Sequence, residues 1–167
     1  HGTNRRQRQM CIRDSTNNSA AITVTGATLA EDGSVTVAGG TLAADGTIAA
    51  ASIDVAQGAT LTTEEAERLN DGAALTNDGT VSLGGNETIG DLSGAGTITN
   101  NGNDLAVTQT SDQTFSGTLS GAGGLTKQGE ATLTLSTGSS FTGDANVNEG
   151  GLVVSGALAT NTINIAN

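Results

Sequence analysis

The chain has 167 residues, a net charge of −11, 25 Gly, two Phe and no Pro, Trp or Tyr. So few aromatics cannot fill one thick globular core, but Val, Ile, Leu and Ala can fill a thin core, a few side chains per layer, stacked along an axis. From residue 16 onward two cations (Arg68 and Lys127) stand against sixteen acids, which excludes the basic patches of nucleic-acid binding and of polybasic membrane contact.

Cys11 is the single cysteine and His1 the single histidine. An internal disulfide, a Cys or His metal cluster and a Ser-His-Asp site are therefore out of reach. No apolar run is long enough for a membrane-spanning helix, and none follows the basic opening residues, so no secretory signal is read. Only 14% of residues are charged and the apolar ones are periodic, which argues for a folded chain over a disordered one.

Residues 1–15 carry Arg5, Arg6, Arg8 and Arg13 and lack the Thr/Gly/Ala texture of the remainder. Met10 to Ser15, MCIRDS, resemble a translated sequencing adapter. Residues 1–15 are expected to be an artefactual, non-native and disordered segment, with 16–167 as the folded unit.

From Ala21 a short pattern recurs: AITVTGATL (21–29), SVTVAGGTL (34–42) and SIDVAQGATL (52–61), each apolar-x-apolar, a Gly corner, then Thr-Leu. Alternation of this kind is a strand signal, because successive side chains point to opposite faces. TINIAN (162–167) reads as the start of a fourth copy. Residues 62–71, TTEEAERLND, interrupt the pattern. Thr62 and Glu65 form a capping-box pair and EEAERL contains helix formers, so a short helical or loop excursion is expected near 62–72. Its acids Glu64, Glu65 and Glu67 are expected on a solvated face.

The strand pattern resumes with ALTNDGTVSL (74–83). LSGAGTI (92–98) and LSGAGGL (119–125) then repeat, as do Phe115 and Phe141, each two residues before a glycine. This spacing is taken as one to two turns of a coil. Variable loops on recurring strands suit a solenoid. The expected fold is all-β, a parallel β-solenoid or β-helix fragment of about six or seven coils at roughly 20–27 residues per coil. Its two ends are expected to be open, which would make the isolated fragment marginally stable or self-associating.

The stretch 119–154 ends the pass. It places Gly121, Gly123, Leu125, Lys127 and Gly129, then Leu133 and Leu135, then Phe141 and Gly143, then Val147, Gly150, Leu152 and Val154 in one order. That order resembles the autotransporter-associated strand repeat of bacterial passenger domains. Ala131, Phe141 and Ala145 stand where Gly, Tyr and Thr are commoner. The resemblance implies a right-handed, three-sided helix in a secreted or surface passenger from a Gram-negative bacterium. It further implies type V secretion and, as partner, a C-terminal outer-membrane β-barrel of the same polypeptide.

The chemistry expected is sparse. Asp32, Asp45, Asp78, Asp91 and Asp144 sit beside glycine and read as turn residues. Gly84-Gly85-Asn86-Glu87 does not continue as a calcium repeat. Arg68 and Lys127 are expected to pair locally, and Phe115 and Phe141 to pack. No catalytic, cofactor-binding or metal residue is nominated, no small-molecule substrate is expected, and an enzyme is not. The leading expectation is a structural rod supporting outer-membrane translocation and display. The alternative is an adhesin that binds a host or neighbouring cell. A carbohydrate-active β-helix enzyme would need clustered carboxylates. Ice binding through Thr-x-Thr ladders stands last, because the Thr spacing along the chain is irregular.

Overall fold

A computed structural model describes the backbone of residues 21–24 and all of residues 33–166. Residues 1–15, Asp32 and the Gly corner of the first pattern copy lie outside the described residues.

The strands form three long parallel faces. Face A stacks β2 (Ser34–Val37), β4 (Ser52–Val55), β6 (Ala74–Asn77) and β9 (Leu92–Ser93). A bridge between Gly94 and Phe115 carries it on into β12 (Gln113–Phe115), β15 (Thr132–Leu135) and β18 (Gly151–Val154). Face B stacks β1 (Ala21–Val24), β3 (Thr41–Ala44), β5 (Thr60–Thr63), β7 (Thr80–Ser82), β10 (Thr97–Thr99), β13 (Thr118–Gly121) and β16 (Ser140–Phe141). Face C begins with the Ile48–Leu69 bridge and continues through β8 (Glu87–Ile89), β11 (Leu105–Thr108), β14 (Leu125–Gln128), β17 (Ala145–Val147) and β19 (Ile163–Ile165). The chain visits A, B and C in turn for about seven coils, with no helix among the described residues.

Register partners are 17 to 22 residues apart. Inward residues therefore stack in columns. Leu42, Leu61, Val81, Ile98 and Leu119 form one on face B; Val35, Ile53, Leu75 and Leu92 form another on face A. All but Val35 in these columns are at most 2% exposed. Burying each such side chain contributes roughly 1.5–3 kcal/mol. Phe115 and Phe141 are fully buried in the core, on faces A and B respectively.

The structure revises two expectations. The first copy, AITV, lies on face B paired with Thr41–Ala44, whereas SVTV and SIDV lie on face A. TINIAN supplies β19 on face C, so it is not a fourth copy. The two LSGAG segments also sit on different faces, Leu92 stacked on Leu75 in face A and Leu119 on Ile98 in face B. Their spacing is one coil plus one face, within the one to two turns expected.

Of the helical or loop excursion expected near 62–72, the loop forms and the helix does not. Thr62 and Thr63 belong to β5, which is hydrogen-bonded between β3 and β7, and the chain must return to the core at Leu69, bridged to Ile48. Between them Glu64, Glu65, Ala66 and Glu67 make an exposed loop. Gly84 and Gly85 run directly alongside it. A Cβ on Gly85 would collide with the backbone of Glu65 and Ala66, so this glycine pair is explained by close approach of two coils.

Candidate functional site

The corners, rather than the flat faces, concentrate the polar chemistry. Between faces B and C, Asn86 Oδ1 accepts the Asp104 N–H at 2.9 Å, and Asp104 Oδ1 accepts the Gly124 N–H at 2.8 Å. Between C and A, Asp112 Oδ1 accepts the Thr132 N–H at 2.7 Å. Between A and B, Asp78 Oδ1 accepts the Ala95 N–H at 3.0 Å. Each side chain reaches the coil above, where it takes a backbone donor that no strand ladder uses. Hydrogen bonds to an ionised group are the stronger kind, at about 1.5–3 kcal/mol each. At these corners the carboxylates of Asp78, Asp104 and Asp112 are compensated by amide dipoles instead of by cations.

Asp91 is the most fully engaged. It accepts the Thr110 N–H at 2.6 Å, the Ser111 N–H at 3.3 Å and the Ser111 hydroxyl at 2.6 Å. Partial burial pushes its pKa up, but the Ser111 and Thr110 hydrogen bonds outweigh it and hold the carboxyl below its ordinary value of 3.8. Asp45 is half-buried and Asp144 exposed at their corners, with no side-chain hydrogen bond among the described residues. The five Asp singled out beside glycine thus divide into two clamps, two plain corner residues and one outside the described residues. A turn assignment alone does not anticipate the bond to the next coil.

Among the described residues two charged side chains, Glu87 and Lys127, face inward. Alternation places Glu87 in phase with Ile89, and Lys127 in phase with Leu125, so both enter the core. That parity was readable in the sequence and is the signal that finds them. The Glu87 carboxylate accepts the N–H of Arg68 at 3.0 and 3.1 Å and of Leu69 at 3.1 Å, closing the loop 64–67 onto the rod. Burial pushes its pKa above 4.5, and the charge of Glu67 adds to this. The N–H donors and Thr63 offset part of the rise.

Lys127 does not form the local ion pair expected of it. Its Nζ donates to the carbonyls of Gln128 at 2.6 Å, Gly129 at 2.7 Å and Glu149 at 3.2 Å. Glu149 in turn accepts the Gly129 N–H at 3.1 Å, so the corner is locked from both coils. Desolvation lowers the lysine pKa, while Glu149, Asp112 and Asp91 oppose the drop. Arg68 does pair locally, with Glu65.

No cluster of three or more His, Cys, Asp or Glu capable of holding a metal occurs among the described residues. A shallow open recess of about 370 Å³ between faces A and B is lined by Ala56, Gln57, Asp78 and Ala95. Its one carboxylate is the clamp to Ala95. The arrangement binds coil to coil.

Residues 125–154 match the family model of the passenger-associated-transport-repeat. The match begins at Leu125, the first residue of β14, and ends with β18, so it covers one full coil and two faces of another. It contains Lys127, Gly129 and Glu149, the locked corner. No curated protein and no solved structure matches the chain.

Proposed function

We propose that this chain is a structural rod segment of a bacterial surface autotransporter passenger, mechanical rather than catalytic in role, whose partner is an outer-membrane β-barrel of the same polypeptide. The observation that carries the proposal is the passenger-associated-transport-repeat at 125–154, seated where neighbouring coils are locked by the Lys127 corner. In a passenger of this kind the chain emerges unfolded and coils outside the membrane. Each completed coil buries a layer of columns such as Leu133 and Leu135 and closes its corner clamps. Coil-by-coil addition, governed by nearest-neighbour interfaces, opposes sliding back through the pore.

The test places the chain between a secretion leader and an outer-membrane β-barrel and measures the fraction cleaved by protease added outside the cell. Leu133→Asp with Leu135→Asp, which puts two charges in the core, is expected to reduce display severely. Thr134→Asp on the outward side of the same strand is expected to leave it unchanged. Equal display from all three chains would remove the translocation role.

A further inference from the structure

Face B carries a second feature, independent of the passenger role. Register brings Thr41, Thr60, Thr80, Thr97 and Thr118 into one outward column. Two residues along each strand, Ala43, Thr62, Ser82, Thr99 and Ser120 form a parallel column, which Ser140 extends. Along the chain these Thr are 17 to 21 residues apart, an irregular spacing that argued against an ordered array. In the fold the irregularity is absorbed by the corners, and five coils present hydroxyls at a constant step.

The step between coils is about 4.8 Å, and alternate residues on one strand are about 6.6 Å apart. Thr is stiff at χ1, so the hydroxyls and methyls of a column share an orientation. Stacking of the coils on one another keeps such a sheet flatter than an open one. No strand of face B from β3 to β16 contains a charged residue, on a molecule of net charge −11. Among the described residues the side chains of Thr60, Thr80, Thr97 and Thr118 make no hydrogen bond, whereas in the second column Thr62 donates to Glu64 Oε1 at 3.4 Å, Ser82 Oγ accepts from Asn101 Nδ2 at 2.9 Å, Ser120 donates to the Ile98 carbonyl at 3.4 Å, and Thr99 and Ser120 approach each other at 3.5 Å. The amides of face C, by contrast, pair sideways, as Asn164 does with Asn146 at 2.8 Å.

The geometry points to a surface that binds ordered water, namely the face of an ice crystal. The unbonded hydroxyls and the methyls of Thr60, Thr80, Thr97 and Thr118 recur at the ~4.8 Å coil step, near the repeat within the basal plane of hexagonal ice, and hold a row of water at that spacing. The narrow face favours ice over a second copy of the chain: a strip three residues wide over six coils covers roughly 300 Å² per partner, well short of the ~800 Å² of a stable protein interface.

The experiment uses the full chain at micromolar concentration and records thermal hysteresis and ice-crystal habit on a nanolitre osmometer. Faceted crystals and a measurable freezing gap are expected. Thr97→Tyr at the centre of the array is expected to abolish both. Thr114→Tyr, exposed on face A, is expected to retain both, with circular dichroism showing both variants folded as the parent. Round crystals and no gap from the folded parent overturn the proposal, as does equal loss in both variants. Concentration-dependent dimerisation that Thr97→Tyr removes, without hysteresis, would identify a second copy as the occupant and also overturn it.

Discussion

Lys127 shows how a single side chain can serve two coils. Its stem lies in an inward column between Val107 and Val147, while its ammonium bonds the carbonyls of Gln128, Gly129 and Glu149. Lys127→Met keeps the stem and removes the donor. We expect it to cost about 1–3 kcal/mol, because buried carbonyls lose their partner, read as a lower urea midpoint. An unchanged midpoint would mean that the corner is held by Glu149 alone. Glu87 gives a prediction of opposite character. Its folded pKa lies above 4.5, so its contribution is complete where it is protonated in both states and is lost as pH rises through the folded value. Asp91 has the reverse sign: its contribution is present above 3.8 and lost as pH falls through its lowered folded value. As pH rises from 4.5 through the raised folded value, the melting temperature of the parent should therefore fall relative to that of Glu87→Gln. Parallel profiles for the two proteins would refute this assignment.

At the scale of the element, each strand is specified by alternation and each corner by a residue that tolerates the turn. Gly129 is the sharpest case. It has a φ of 76° and a Cβ there would strike the carbonyl of Gln109 in the coil below. Gly129→Ala should destabilise by more than 1 kcal/mol, about the ordinary glycine-to-alanine scale or greater where φ is positive. An exposed glycine corner such as Gly39, which has open space around it, should tolerate Ala with a much smaller effect. Thermal unfolding of the two variants distinguishes them. The loop 64–67 shows why the loop, and not the helix that EEAERL also allowed, forms at this scale. EEAERL has good helix formers, but three or four residues cannot complete a helix when β5 on one side and Leu69 on the other are already paired to neighbouring coils. Tertiary pairing outweighed propensity.

At the scale of the whole molecule the rod is a one-dimensional stack, and its stability is a sum over interfaces. Coils in the middle have a neighbour on each side. In this chain Ile163 and Ile165 of β19, which stack on the inward Ala145 and Val147, are 57% and 72% exposed. Exposed apolar strand edges associate with one another. Ile163→Lys with Ile165→Lys should lower concentration-dependent self-association, seen by light scattering, without lowering the unfolding midpoint. Unchanged association would place the contact elsewhere. Leu133→Ala, at a fully buried position of β15, should cost about 2–5 kcal/mol and broaden the transition by decoupling the coils on either side.

The amino-acid sequence by itself determined the strand-and-corner texture, the inward phase of each strand and the repeat at 125–154, because alternation and turn chemistry act over only a few residues. Even the burial of Glu87 and Lys127 follows from that phase. Tertiary structure alone decided which strands share a face. AITV and SVTV are near-copies on different faces, and the two LSGAG segments likewise. Register depends on how many residues each of three corners consumes, and corner length leaves no periodic mark on the chain. For the same reason, the threonine columns of face B and the carboxylate clamps between coils become visible only when residues 17 to 22 apart are brought side by side.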